Sequence, residues 1–233
     1  MAAAERALAL DPDLAEAHAV KAQLLLGDGA AEQAAEEVAI ALRLNPESYE
    51  VNRSAGRLSY QLHRYQDAVR FYEKSAGLME TDLNSASILI STYTALGDDA
   101  SMKRAAQLTL KRAEAVLAHD QNNSMVAGYS AYALAALGEG GRAKARMERA
   151  LLIDPDNFNM RYNFACALCV YLRDKQAALD MLEPLFATIT DTFLPYAKAD
   201  PDLELLRGES RYHDMVTAAE ERLAKAAQVN SSK

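Results

Sequence analysis

The fold is decided by a short segment that recurs along the chain as Leu10-Asp11-Pro12-Asp13, Leu44-Asn45-Pro46-Glu47 and Ile153-Asp154-Pro155-Asp156. The first two prolines are 34 residues apart. Proline cannot donate the backbone hydrogen bond that continues a helix, and it disfavours the helical conformation in the residue before it. Each copy therefore predicts the end of a helix, and the spacing indicates a repeating unit of 34 residues.

Two further series of residues keep the same interval. Small or apolar residues recur at Ala22, Gly56, Ile90, Ala131 and Ala165, and turn positions recur at Gly29, His63, Gly97, Gly138 and Leu172. The steps in both series are 34, 34, 41 and 34 residues, so both indicate one seven-residue insertion. Alanines 34 residues apart, Ala34 with Ala68 and Ala143 with Ala177, mark the second half of the unit. Because small side chains let helix backbones approach closely, these series predict tightly packed helix pairs.

The period and the small residues resemble the tetratricopeptide repeat (TPR) family, whose repeat is a pair of antiparallel helices. The match is fullest in two places, Ala55-Gly56 followed by residues 62–72, and Leu137-Gly138 followed by residues 143–157. The resemblance implies an all-α solenoid, a right-handed superhelix of antiparallel helix pairs with a C-terminal capping helical segment.

The registers divide the chain into five repeats, at residues 15–48, 49–82, 83–123, 124–157 and 158–186. Residues 1–14 are predicted to hold the second helix of a truncated preceding repeat, and residues 187–233 to form capping helices and a short disordered tail. A repeat cannot bury its apolar face alone, so we expect the chain to be part of a longer protein whose missing part precedes residue 1.

Two departures from the repeat predict local changes in structure. The insertion in the third repeat, around residues 98–104, predicts either a longer turn or a longer second helix. Pro184 stands where a packing alanine is usual in the family, so the second helix of the fifth repeat is expected to kink or stop there.

Composition supports a helical chain and excludes several classes of partner. The chain has 233 residues, of which 46 are alanine and 6 proline, and its net charge is −8. An acidic chain is poorly suited to bind nucleic acid or an anionic membrane. Two cysteines are too few for a disulfide scaffold, and no apolar run reaches the roughly 18–20 residues of a membrane span. These features predict a soluble cytoplasmic chain without a nucleic-acid or membrane partner.

The residue types that carry chemistry do not form a recognisable site. His18, His63, His119 and His213 have no partner at metal-ligand spacing and are interpreted as solvated or helix-end residues. Cys166 and Cys169 lie within a predicted helix and are interpreted as small packing residues. The glycine-rich residues 138–141 fall at a predicted turn, without the strand that precedes a phosphate-binding loop. We therefore predict no catalytic residue, no metal site and no cofactor.

The resemblance places the binding function on the concave face, which the first helix of each repeat lines and where this family binds an extended peptide or a partner helix. Placing each repeat on that template predicts a peptide-binding set of Arg53, Arg57, Tyr60, Asn84, Ser87, Ser91, Tyr132, Asn159 and Tyr162. Arg53 and Arg57, one helical turn apart, could hold a carboxylate of a partner, and the tyrosines offer flat amphipathic contact. The alternative is that these side chains only face solvent and bind no partner.

Two segments resemble a bacterial subset of the family, residues 160–168 with 174–179, and residues 198–207 with 210–212. Similar repeats follow class III adenylate or guanylate cyclase domains, and others follow winged-helix transcription-regulator domains. The resemblance implies a non-catalytic protein–protein interaction or scaffolding module of a larger bacterial signalling protein. Self-association is the alternative, because the half-repeat at residues 2–10 would expose a helix face that a homodimer could cover.

Overall fold

The computed structural model describes residues 1–231, with side chains through residue 228. Over that range the chain forms thirteen α-helices and one 3-10 helix, and no strand, which confirms the all-α prediction. The elements, in chain order, are α1 (Ala2–Leu10), α2 (Ala15–Gly27), α3 (Ala31–Leu44), α4 (Tyr49–Gln61), α5 (Tyr65–Leu78), α6 (Leu83–Leu96), α7 (Asp99–Leu117), α8 (Ser124–Ala136), α9 (Gly140–Ile153), α10 (Phe158–Val170), α11 (Lys175–Phe186), α12 (Phe193–Ala199), the 3-10 helix (Pro201–Leu206) and α13 (Ser210–Ser231).

The chain divides into two units, unit 1 at Met1–Ala115 and unit 2 at Val116–Lys233. In unit 1, α2 packs on α3 and α4 on α5, and the two first helices α2 and α4 also pack on each other. In unit 2, α8 packs on α9 and α10 on α11, and α8 packs on α10. Each unit therefore has the pairwise helix packing that the 34-residue period predicts.

The series of small or apolar residues is buried in the helix pairs. Ala22, Ile90, Ala131 and Ala165 are at most 1% exposed, and Gly56 is also buried. A Cβ atom added to Gly56 would lie 2.9 Å from Cδ1 of the Tyr72 ring. Glycine is therefore required at this position by the packing of α4 on α5, as the sequence register predicts.

The predicted turn residue has a left-handed backbone conformation in the first four repeats, but in the fifth repeat the left-handed residue comes one position later. Gly29, Gly97 and Gly138 have φ angles of 79°, 70° and 78°, and His63 has a φ of 55°. In the fifth repeat the left-handed residue is Arg173, with a φ of 54°, and not Leu172. The reason is an additional residue between α10 and α11, where residues 171–174 form the connection.

The same additional residue shifts the packing alanine of α11. Ala178 is fully buried, whereas Ala177 is only half-buried and its backbone N–H donates to Asp174 Oδ1 over 3.1 Å at the start of the helix. The predicted equivalence of Ala143 with Ala177 is therefore wrong by one position. Spacing alone could not reveal it, because two alanines stand side by side here.

The seven-residue insertion mainly lengthens the second helix of the third repeat, one of the two outcomes that the sequence left open. Helix α7 has 19 residues, against 14 in α5 and 14 in α9. Its Arg112 donates to the backbone oxygens of Asp82 over 2.7 Å and Ala76 over 2.8 Å, so it satisfies carbonyls near the end of α5. Helix α11 passes through Pro184 and ends at Phe186, two residues later.

The C-terminal helices cover the fifth repeat. Helix α13 packs on α11, and the 3-10 helix packs on α10. Tyr212, Met215 and Ala219 of α13 are at most 9% exposed, and Val216 and Leu223 are half-buried. The short tail predicted at the C-terminus lies outside the described residues.

Candidate functional site

In unit 1, the two arginines predicted to bind a carboxylate have different environments. Arg53 Nη2 lies 2.9 Å from Glu50 Oε2, on the same face of α4, and the Arg53 guanidinium lies 5.7 Å from the centre of the Tyr49 ring. Its charge is thus already balanced by a neighbouring carboxylate. Arg57, one turn further along α4, is exposed and forms no ion pair with the residues that the structure describes.

Several tyrosines lie on α4 and α5, the helix pair that carries Arg57. Tyr72 of α5 is 1% exposed, and burial raises the pKa of its hydroxyl, an effect that the positive charge of Arg57 partly opposes. The Tyr60 ring packs edge-to-face against Tyr65, with 5.7 Å between ring centres. Arg57 therefore presents an exposed cation on the α4–α5 pair, close enough to Tyr72 for its charge to act on the buried hydroxyl.

Helix α6 contributes uncharged polar residues, not all of them accessible. Asp82 caps this helix, and its Oδ1 accepts hydrogen bonds from the backbone N–H of Asn84 and of Ser85. Asn84 and Ser91 are half-buried, and Ser91 Oγ donates to the Ile88 carbonyl over 3.0 Å. Ser87 is only 8% exposed, so its predicted place on an open surface is wrong.

Unit 2 carries the other three predicted residues, and the structure separates them by exposure. Tyr132 of α8 is half-buried, and its hydroxyl lies 3.2 Å from that of Tyr171, with the two rings edge-to-face. Asn159, in the first turn of α10, is exposed. Tyr162 is only 5% exposed.

Tyr162 is covered by the chain's own C-terminal segment, which corrects its prediction as an open groove residue. Its hydroxyl donates to Asp200 Oδ2 over 2.6 Å, and its ring lies 5.1 Å from that of Phe193. Cys166, one turn later on α10, is 7% exposed. The sequence placed Tyr162 on the concave face, but its burial involves residues more than 30 positions later in the chain.

The cysteines are suited to packing and not to nucleophilic chemistry. Both are buried, and burial is the main cause that raises the pKa of Cys169 to about 12 and the pKa of Cys166 still further. A thiol with a raised pKa is protonated near neutral pH and is a poor nucleophile or metal ligand. Among the described residues, no group of three or more histidine, cysteine or acidic side chains is placed to hold a metal ion.

Of the four histidines, His18 is buried and not solvated. His63, His119 and His213 are exposed as predicted, but His18 is 9% exposed and lies 2.6 Å from Glu37 Oε2. The partner stands on α3, 19 residues later, and no metal-ligand or catalytic spacing marks it. Lys21, one turn after His18, also binds Glu37.

No family model matches the sequence, and no curated protein matches it. Within the described part of the chain, no helix has the length and apolar character needed to cross a membrane.

Several solved structures share the fold at low sequence identity. PilF of Pseudomonas aeruginosa is 19% identical, with a TM-score of 0.56 over 84% of this chain and 87% of that one. A thermophilic TPR protein of Thermus thermophilus is 18% identical, with a TM-score of 0.57 over 87% of this chain and 99% of that one. A chain of the APC/C hetero-tetramer Cut9–Hcn1 is 13% identical, with a TM-score of 0.59 over 93% of this chain but only 44% of that chain.

At this level of identity the comparisons establish the fold. The chain has the helix-pair architecture of TPR proteins, which confirms the fold that the 34-residue period predicts.

Proposed function

We propose that the chain is a non-catalytic protein-interaction module and that the α4–α6 surface of unit 1 binds an extended, carboxylate-bearing peptide segment. The observation that carries the proposal is the difference between the two arginines of α4. Arg53 is balanced by Glu50, whereas Arg57 is exposed and has no ion pair among the described residues. An arginine in this setting can hold a carboxylate through two parallel hydrogen bonds.

The proposed contact residues follow from exposure as well as from position. In unit 1 they are Arg57 as the carboxylate ligand and, as further contacts on the first helices α4 and α6, Arg53, Tyr60, Asn84 and Ser91. Tyrosine supplies a large flat contact at a low cost in conformational entropy. In unit 2, Tyr132 and Asn159 remain candidates, whereas Ser87 in unit 1 and Tyr162 in unit 2 are too buried to contribute.

The test is selection of peptides on the full chain followed by binding of two charge-reversal variants. A displayed library of random 12-residue peptides is expected to yield sequences enriched in Asp or Glu. Arg57→Glu should weaken their binding at least about tenfold, measured by fluorescence anisotropy, because two charge-assisted hydrogen bonds are lost.

The matched control is Arg43→Glu, which reverses an exposed arginine on α3, a second helix. It changes the net charge by the same amount and should leave the affinity unchanged. The proposed role of Arg57 would be contradicted if Arg57→Glu bound the peptides as tightly as the parent chain. It would also be contradicted if Arg57→Glu and Arg43→Glu lost the same affinity.

The wider context that we propose is a bacterial signalling protein in the cytoplasm, of the nucleotide-cyclase type. The support is the sequence resemblance of residues 160–168 and 198–207 to repeats that follow class III cyclase domains. A winged-helix transcription regulator is the alternative parent. The coding sequence before the Met1 codon decides between them, and an in-frame stop codon directly upstream would contradict both.

Self-association is a second candidate because the first repeat exposes apolar residues. Leu24 of α2 is 39% exposed, whereas the equivalent Leu58 is 7% exposed, and the later equivalents Thr92, Ala133 and Ala167 are fully buried. Leu10 and Val20 are also exposed, by 89% and 46%.

Sedimentation velocity tests this candidate. If a homodimer covers the α1–α2 surface, Leu24→Lys should convert it to monomer, while Leu152→Lys, at an exposed position of α9 in unit 2, should not. A parent chain that sediments as a monomer at all accessible concentrations would exclude the candidate.

A further inference from the structure

His18 lies between two hydrogen-bond acceptors. Its Nε2 is 2.9 Å from the carbonyl oxygen of Pro12, in the connection between α1 and α2. Its Nδ1 is 2.6 Å from Glu37 Oε2, on α3. A carbonyl oxygen can only accept, and an ionised carboxylate can only accept, so each contact requires a hydrogen on the ring nitrogen that faces it. Only the imidazolium form carries both hydrogens.

The surroundings keep Glu37 ionised. Lys21 Nζ lies 2.5 Å from Glu37 Oε1, so the carboxylate has a donor on each oxygen. Burial acts to raise the pKa of Glu37, but the hydrogen bonds from His18 and Lys21 outweigh it, and the pKa lies below its usual value. The carboxylate side chain is only 13% exposed, so solvent screens these contacts weakly.

The other charged groups on the elements that pack against α2 are exposed or paired elsewhere. On α1 and the following connection, Glu5, Arg6, Asp11 and Asp13 are exposed, and on α3 Glu32, Glu36 and Arg43 are exposed. Glu16 of α2 accepts from Asn45, and on α4 Glu50 binds Arg53. Glu37 is therefore the charged group in direct contact with the His18 ring among the described residues.

We propose that His18 links the α1–α2 connection to α2 and α3 through two hydrogen bonds, and that both bonds form only when the ring is protonated. In the imidazolium form, one N–H donates to the Pro12 carbonyl and the other to Glu37. When the proton leaves for solvent, the neutral ring keeps a single N–H and one of the two contacts is lost. The connection, residues 11–14, and the α1 helix before it then loosen. Both contacts require the protonated ring, and the contact at Nδ1 also requires an ionised Glu37.

The direct test is nitrogen NMR of the full chain labelled with ¹⁵N-histidine. Under conditions where the connection is ordered, both ring nitrogens of His18 are expected to carry a proton, and the His18→Gln variant assigns the signal. A single protonated ring nitrogen in that state would overturn the proposal. This measurement uses the unaltered chain, so it holds even if the variant folds poorly.

The coupling to structure is tested by amide hydrogen exchange, corrected for the intrinsic effect of pH. Protection of the Asp11 and Leu14 amides, which donate to Ala7 and Asp11 carbonyls, should fall about tenfold as His18 deprotonates. In His18→Gln, which does not titrate, this dependence should vanish. The matched control His63→Gln changes an exposed histidine of the same unit and should retain it. If amide protection in His18→Gln depended on pH in the same way as in the parent chain, the proposed role of the His18 proton would be wrong.

Discussion

The first helices of the first and fifth repeats, α2 and α10, hold equivalent places in their helix pairs but differ in exposure. In α2, Leu24 is 39% exposed, while the equivalent Ala167 of α10 is fully buried. Lys21 of α2 is charged and partly exposed, while the equivalent Phe164 of α10 is 2% exposed. The same repeat position thus carries an exposed or charged side chain in the first repeat and a buried apolar one in the fifth. The expected effects of substitutions follow from this difference.

The largest effect is expected at the covered helix. Phe164→Ala should lower the free energy of unfolding by about 3–5 kcal/mol, because it removes a fully buried ring and leaves a cavity. Lys21→Ala, at the equivalent position of α2, should cost less, about 1.5–2.5 kcal/mol, because it removes one charged hydrogen bond to Glu37 and leaves no core cavity. Urea denaturation followed by circular dichroism measures both free energies of unfolding. Similar losses in the two variants would contradict the proposed difference between α10 and α2.

A smaller loss is expected where two helices approach closely. Gly56→Leu should destabilise the chain by about 2–3 kcal/mol, because even a Cβ atom would lie 2.9 Å from the Tyr72 ring. Gly77→Leu is the control, since an added Cβ there would meet no atom within 4 Å. A Gly56 variant with the melting temperature of the control would contradict the close approach of α4 and α5.

The cover of α10 is tested by removing one hydroxyl. Tyr162→Phe should cost about 1–2 kcal/mol, because Asp200 loses a hydrogen bond of 2.6 Å while the ring packing stays. Hydrogen exchange of residues 193–206 should increase in the same variant. Unchanged exchange would show that the hydroxyl does not hold this segment in place.

The smallest effect is expected on the exposed side of α2. Leu24→Ser should change the free energy of unfolding of the monomer by less than about 1 kcal/mol, since the side chain is 39% exposed. Leu58→Ser, at the equivalent but buried position of α4, is the matched comparison and should cost clearly more. A large cost at Leu24 measured at low protein concentration would show that this face is covered in the folded chain.

Prediction from the sequence succeeded where a feature depends on residues close together in the chain. The prolines, the turn glycines and the small residues at Ala22 and Ala131 gave the helix pairs, because helix ends and close packing have local requirements. The register failed by one residue at Ala177, since the adjacent Ala178 satisfies the same steric requirement. Periodicity cannot distinguish between two small neighbours.

The candidate site could be predicted only in part. Position on a first helix placed Arg57 and Tyr162 in the same predicted set, but Arg57 is exposed and Tyr162 is covered by the C-terminal segment. The pairing of Arg53 with Glu50 was open to prediction from their three-residue spacing on one helix. The burial of His18 against Glu37 was not, because nothing in the spacing marks that pair.

The amino-acid sequence by itself determined the repeat length, the helix pairs and the residues that allow them to pack closely. Only the tertiary structure decided which surfaces are open, since exposure depends on what distant segments cover. Asp200 reaches Tyr162 from 38 residues away, and Glu37 reaches His18 from 19 residues away. A repeated pattern specifies how each unit folds, but neighbouring segments determine what each unit can still bind.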